Sequence, residues 1–171
     1  MNRYRVDLHV HTTVSGDGRS TLAEQIHAAK RVGLHAIAVT DHNRCFLMQE
    51  RSDGILLIPG CEVSSDCGHV LGLFLEREIE FPKDGWLPSG EEAVRMIRSA
   101  GGLAALAHPF QQPWRNETDL PQDVDGIEVC NARGNLKRRN ANALASELAE
   151  KRNVFTTAGS DAHHSDEVGY A

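Results

Sequence analysis

Apolar and polar positions recur along this chain with two different periods, and each change of period marks an element. Tyr4–Val10 alternates with a period of two and predicts a strand ending in Asp-Leu-His-Val-His. From Ser20 to Val32 the apolar residues Leu22, Ile26, Ala29 and Val32 fall at helical spacing. Thr21 and Glu24 form a T-x-x-E capping box at the start of that helix, and Gly33 stops it. Short apolar runs at Ala36–Thr40, Ile55–Ile58, Val70–Leu75, Leu103–Leu106, Val124–Val129 and Val154–Thr157 predict further strands. The run at Ile55–Ile58 continues toward Cys61-Glu62-Val63. Ser89 and Glu92 form a second capping box, opening a helix through Val94 and Ile97 that ends at Gly101-Gly102. A third helix is predicted over Leu136–Lys151, with Leu136, Ala143, Leu144 and Leu148 on one side.

Strands interleaved with helices predict an α/β fold with a mostly parallel sheet, and seven strands suit a barrel-like closure. Phe81–Pro88 predicts a turn or linker. Pro109–Pro121, which contains Trp114, is long for a connection and predicts a lid. The 171 residues fit one domain, and the formal charge of −6 argues against a protein that coats nucleic acid non-specifically. The four cysteines form no C-x-x-C pair, which argues against a zinc ribbon and fits reduced thiols. No run approaches the roughly 18 apolar residues of a membrane span, and the first residues hold no signal-like apolar stretch. A soluble cytoplasmic protein is expected. The basic trio Lys137-Arg138-Arg139 reads as a solvated helix face.

The nine histidines change this picture by where they fall. His9 and His11 are two apart on one strand, so both point to one face. His42 follows the second strand, Glu62 the third, and His108 the fifth. His69 precedes the fourth, and Asp161 and His163 follow the last. In parallel α/β folds, ligands bind at the carboxyl ends of strands. Six imidazoles and two carboxylates therefore converge on one rim. Nitrogen and oxygen donors without thiolate suit Zn²⁺, Mn²⁺ or Fe²⁺. They exceed what one catalytic zinc uses, so two or three divalent ions are expected, with Glu62 as the bridging carboxylate. Asp17, in a Gly-flanked turn, is a candidate ninth ligand. His27, His35 and His164 lie off the rim and read as ordinary residues.

The motifs DLHVHTTVSGDG, AVTDHN, PGCEVSS, GHVLGL, AHP, IEVCNAR and AGSDAHH run in this order from Asp7 through Tyr170. Together they resemble the PHP domain family (polymerase and histidinol phosphatase). The resemblance implies a distorted (β/α)7 barrel, a trinuclear metal site and hydrolysis of phosphate esters. It implies one metal held by His9, His11, Glu62 and Asp161. A second would share Glu62 and use His69 and His108, and a third would use Asp17, His42 and His163. Arg133, in the N-x-R segment with Asn131, becomes a phosphate-binding candidate, because guanidinium grips phosphate oxygens bidentately. The chain reaches only eight residues past His163, so C-terminal elements of the barrel are expected to be missing.

The expected reaction is attack of an activated water on a phosphomonoester or a nucleotide or oligonucleotide phosphodiester. Glu62 bridges the ions, and His42 or His163 assists proton transfer. The partner is then a small phosphorylated molecule or a short nucleic acid. Two rivals remain. A metal-dependent amidohydrolase shares the H-x-H strand, but the T-D-H motif, the Asp17 loop and the lack of a strand-end lysine count against it. A non-catalytic metal-stabilised module tends to lose ligands, whereas all nine positions are filled here.

Overall fold

The computed structural model describes residues 3–81 and 87–171, so residues 82–86 of the Phe81–Pro88 turn lie outside the described residues. The first half of the chain builds β1 (Val6–Val10), α1 (Leu22–Arg31), β2 (Ala36–Val39), β3 (Arg51–Ser52) and β4 (Ile55–Ile58). These strands form one sheet in the order β1-β2-β4-β3, with β1, β2 and β4 parallel. The Thr21–Glu24 capping box forms, with Thr21 N–H donating to Glu24 Oε2 at 2.7 Å and Glu24 N–H to the Thr21 hydroxyl at 3.3 Å. Gly33 ends the helix at φ +75°, where an L side chain would be strained.

A second sheet holds β5 (Gly60–Ser65), β6 (Gly68–Leu73), β7 (Leu103–Leu106), β8 (Gly126–Asn131) and β9 (Phe155–Gly159) in chain order. α2 (Gly90–Ser99) and α3 (Ala141–Arg152) pack on it. Ser89 caps α2 by accepting the Glu92 N–H at 3.2 Å.

Three expectations are corrected here. The strand at Ile55–Ile58 does not continue through Glu62. Pro59 has no N–H to extend the ladder, and the chain changes sheets at Gly60. A Cβ at Gly60 would sit 2.9 Å from Val39 O and 3.0 Å from Gly72 O. Second, the sheet is not single. β5-β6-β7 are antiparallel, β7-β8-β9 are parallel, and among the described residues the two sheets do not merge into a closed (β/α)7 barrel. Third, the last helix begins at Ala141, not Leu136. Arg133–Asn140 makes successive turns, with Leu136 N–H bonded to Arg133 O and Ala141 N–H to Arg138 O.

The sheets are joined by isolated bridges instead. Val10 pairs with Ala162, His42 with Glu62, and Phe46 with Gly60. Between the sheets lies a core of mostly small residues, including Ala36, Ala38, Ala105 and Ala107 with Leu71 and Leu73. Larger cores lie under the helices, one around Ile26, Ile37 and Leu57, the other around Val94, Ile97, Leu106 and Ile127. No described helix is long and apolar enough to cross a membrane.

Candidate metal centre

The bridges between the sheets are also where the candidate ligands stand. His9 stands on β1 and His11 just past its end, and both are fully buried. The chain after β1 is folded back by Asp41. Its Oδ1 accepts the Thr12 N–H at 2.7 Å and the Ser15 N–H at 3.1 Å, and its Oδ2 accepts the Thr12 hydroxyl at 2.7 Å. The Ser15 hydroxyl then donates to Asp17 at 2.8 Å and accepts the His42 N–H at 3.1 Å. Glu62 and His69 lie inside β5 and β6 rather than past strand ends. The register pairs Glu62 with Leu71 and Ser64 with His69, so both project from one face of the hairpin. His108 follows β7, and Asp161 and His163 follow β9. His108 (φ 29°) and Asp161 (φ 55°) both adopt left-handed backbone, a strain that clusters at functional sites.

Glu62 is the hub. Its oxygens lie 3.3 Å from His9 Nε2, 3.2 Å from His11 Nε2 and 3.2 Å from His42 Nδ1. They also lie 2.9 Å from His69 Nδ1 and 3.2 Å from His108 Nε2. Asp161 Oδ1 is 3.3 Å from His11 Nε2 and 3.6 Å from His9 Nε2. Asp17 Oδ2 meets His163 Nε2 at 3.0 Å and His42 Nε2 at 3.3 Å.

Burial alone would raise the Glu62 pKa, but the surrounding imidazoles, His9 and His69 foremost, hold it well below the usual carboxylate range. Burial would likewise lower His9, and Glu62, Glu128 and Asp161 reverse that and hold it well above its ordinary value. For His11, hydrogen bonds to Asp161 and Glu62 overcome burial and push it up to about 9. His42 is pushed down, chiefly by burial. Asp17 is held at about 2, where the Ser15 hydroxyl and the two imidazoles outweigh burial.

Some of these contacts are aligned as hydrogen bonds, among them His108 Nε2 with Glu62 Oε1 at 3.2 Å and His163 Nε2 with Asp17 Oδ2 at 3.0 Å, and others are not. The Nδ1 atoms of His42 and His69 are buried and have no hydrogen-bond partner, although Glu62 lies beside both. His9 Nε2 and His11 Nε2 face each other at 3.1 Å. Lone pairs converging in this way fit a shared cation, and the nitrogen–oxygen donor set fits a borderline divalent metal.

Four groups bring their donor atoms within 4.8 Å of one another: His11-Asp17-His42-His163, His9-His11-Asp161, His9-Glu62-His108 and His42-Glu62-His69. All nine candidate ligands are therefore brought together. Asp17, His42 and His163 fall in one group, together with His11. His69 and His108 share Glu62 but fall in different groups.

The cleft beside these residues measures about 210 Å³ and is also lined by Gln111, Arg133, Leu136 and Lys137. Lys137 thus faces the cleft, where a solvated helix face was expected. Its segment turns toward the site because α3 starts late. The Pro109–Pro121 segment is anchored by buried Phe110 and Leu120, and Gln111 Nε2 donates to Arg133 O at 3.3 Å. Trp114 on that segment is exposed. His27 is exposed, His35 Nδ1 accepts the Arg5 N–H, and His164 caps a short turn.

Sequence reasoning gives no role to Asp41 or Glu128, and it names Asn131 only as part of the N-x-R segment. Glu128 and Asn131 had a signal: an acid and an amide in the otherwise apolar strand Gly-Ile-Glu-Val-Cys-Asn. Both are buried, and Asn131 Nδ2 donates to Glu128 Oε2 at 2.9 Å.

The PHP domain model matches residues 7–116, and a PHP-associated model matches residues 139–171. The chain belongs to the PHP domain family. A relative from Methanocaldococcus jannaschii, itself uncharacterized, is 32% identical over 86% of this chain and 95% of its own length. A protein of Aliivibrio fischeri named "Probable phosphatase" is 25% identical over 98% of this chain and 81% of its own. Among solved structures, a Bifidobacterium adolescentis protein described as a candidate metal-dependent phosphoesterase aligns with TM-score 0.70. It shares 19% identity, with 96% of this chain and 89% of that one covered. A Chromobacterium violaceum protein described as an amidohydrolase with bound sulfate also aligns at 0.70, with 18% identity over 96% and 90% of the two chains. At such identities the structural likeness speaks for the PHP fold.

Proposed function

We propose that this PHP-family chain is a metal-dependent phosphoesterase that hydrolyses small phosphate esters or short nucleic-acid diesters. The observation that carries this is one buried carboxylate, Glu62, in contact with five imidazoles at the floor of a cleft edged by Arg133 and Lys137.

Two or three divalent ions (Zn²⁺, Mn²⁺ or Fe²⁺) would be held by His9, His11, Asp17, His42, Glu62, His69, His108, Asp161 and His163. When bound, they supply positive charge to the phosphoryl oxygens and lower the pKa of water. Arg133 and Lys137 bring cationic groups to the cleft wall for the substrate phosphate. The Arg133 fork favours two-point contact, while Lys137 acts as a point charge. Arg133 is not locked away, since its nearest carboxylate is Glu167 at 3.6 Å. His42 and His163 stand at the rim beside Asp17, and whichever ring is not committed to an ion would assist proton transfer to the leaving oxygen. The buried walls of β1, β5 and β9 keep bulk water from the floor.

Purified protein, loaded with zinc or manganese, is assayed on a panel of phosphomonoesters and phosphodiesters beside His9→Ala. Turnover by the parent and its loss in His9→Ala are expected. No cleavage of any ester, or equal activity in the variant, overturns the assignment.

A further inference from the structure

Glu128 occupies the middle of β8 and is fully buried. A carboxylate removed from water is costly unless its lone pairs are met, so its partners reveal its role. Its Oε1 lies 3.0 Å from His9 Nδ1. Its Oε2 accepts the His108 N–H at 2.9 Å and the Asn131 side-chain N–H at 2.9 Å. The Asn131 amide in turn lies 3.4 Å from Asp161 Oδ2. One side chain thus contacts residues placed by β1 and β7 and, through Asn131, connects to one placed by β9. Its only ion-pair partner among the described residues is His9.

Given the metal-dependent chemistry proposed above, we infer that Glu128 is the positioning residue of the metal centre. It accepts the Nδ1 proton of His9 and the backbone proton of His108, and so fixes the direction in which both rings present Nε2. With its proton on Nδ1, the His9 ring turns its Nε2 lone pair toward Glu62 at 3.3 Å and Asp161 at 3.6 Å. The second contact accounts for the His108 backbone. At φ 29° that residue needs something to hold it, and its amide is held by Glu128 Oε2. From there His108 Nε2 reaches Glu62 Oε1 at 3.2 Å. Carboxylates behind ligating histidines fix tautomer and ring orientation in this way, and their loss typically weakens metal affinity about 10–100-fold. Glycine at position 159 leaves the room that Glu128 occupies, because a Cβ there would stand 2.8 Å from its Oε1.

Glu128→Gln keeps the shape and removes one acceptor. Three donors face this side chain, from His9, His108 and Asn131, and an amide turned either way sets its own NH₂ against one of them. Zinc affinity is measured by chelator competition for the parent protein and Glu128→Gln. The histidine nitrogen spectrum of the zinc-loaded parent is recorded alongside. The expected results are a roughly 10–100-fold weaker zinc affinity in the variant and a His9 proton on Nδ1 in the parent. Affinity unchanged within about threefold, or a His9 proton on Nε2, overturns the inference while leaving the phosphoesterase proposal standing. If the parent takes up no zinc, both fall. If Glu128→Gln does not fold, the parent spectrum alone decides.

Discussion

Gly159 offers the sharpest test of how closely the centre is packed. Its φ does not demand glycine, so the space around it does. A Cβ there would sit 2.3 Å from His9 Cβ, 2.9 Å from His9 N and 2.8 Å from Glu128 Oε1, against 3.4 Å for the nearest ordinary contact. Gly159→Ala must therefore push β9 from β1 by about 1 Å. β9 also pairs with β8 through Asn131 and Gly159, and Asp161 follows two residues later, so the displacement reaches ligands on both sides. Overpacking of this kind costs about 1–3 kcal/mol. At roughly 2–4 °C per kcal/mol for a chain of this size, Tm should fall by about 2–12 °C. A misplacement of about 1 Å at reacting groups costs on the order of 10²-fold in rate. Differential scanning fluorimetry, bound-metal analysis and turnover of the best ester substrate measure all three. A variant with the parent's Tm, metal content and kcat would refute the claim that β1 and β9 touch through this glycine.

Arg133→Ala should raise KM for phosphate esters more than it lowers kcat, and Arg133→Lys should recover only part, because the two-pronged contact is lost; steady-state kinetics decide. Asp41→Ala leaves the buried Thr12 amide unpaired, at about 1–3 kcal/mol, takes from the Ser15 N–H one of its two acceptors, and frees the Asp17 turn. Urea unfolding should show a loss in that range, together with weaker metal uptake. In chelator-treated protein, His11 is held at about 9 by Asp161 and Glu62 against burial, from an ordinary value of 6.5. Its contribution to stability is complete below 6.5 and is lost as pH rises through about 9. Tm of the chelated protein should therefore decline over that window and that of the zinc-loaded protein should not; a flat chelated profile contradicts the assignment.

Much of this was readable from residue order. β1, α1 and β2 declare themselves because period and caps agree there, and the candidate ligands other than Asp17 stand out because each is polar beside an apolar run. The hairpin of β5 and β6 was not legible. Its turn, Asp66-Cys67, lacks the Asn-Gly or Asp-Gly pair that marks tight hairpins, and its meaning lies in Pro59, which reads equally as a simple stop. Sequence pattern alone puts Glu62 and His69 at strand ends, whereas they stand within β5 and β6. Leu136 misled in the opposite direction. It fits the apolar stripe of a helix, yet it is 74% exposed at the cleft, because the turns after Arg133 delay α3. Asp41 and Glu128 were hidden because their roles are defined by amides and rings far away in sequence, which no local pattern carries.

Asp7 on the first strand accepts the backbone N–H of Ser160 at 2.9 Å and of Gly169 at 2.9 Å, the latter 162 residues away. Asp17 and His163 meet across 146 residues. During synthesis, His9 and His11 leave the ribosome long before the groups that complete their surroundings. A nascent chain halted before Asp161 holds a histidine pair with no final carboxylate to close on. Contacts this distant in sequence are slow to form, since the loop entropy must be met first. Two of the four donor groups, His11-Asp17-His42-His163 and His9-His11-Asp161, are therefore completed only once translation has passed the last strand, and a metal held there would mark a finished fold rather than seed it.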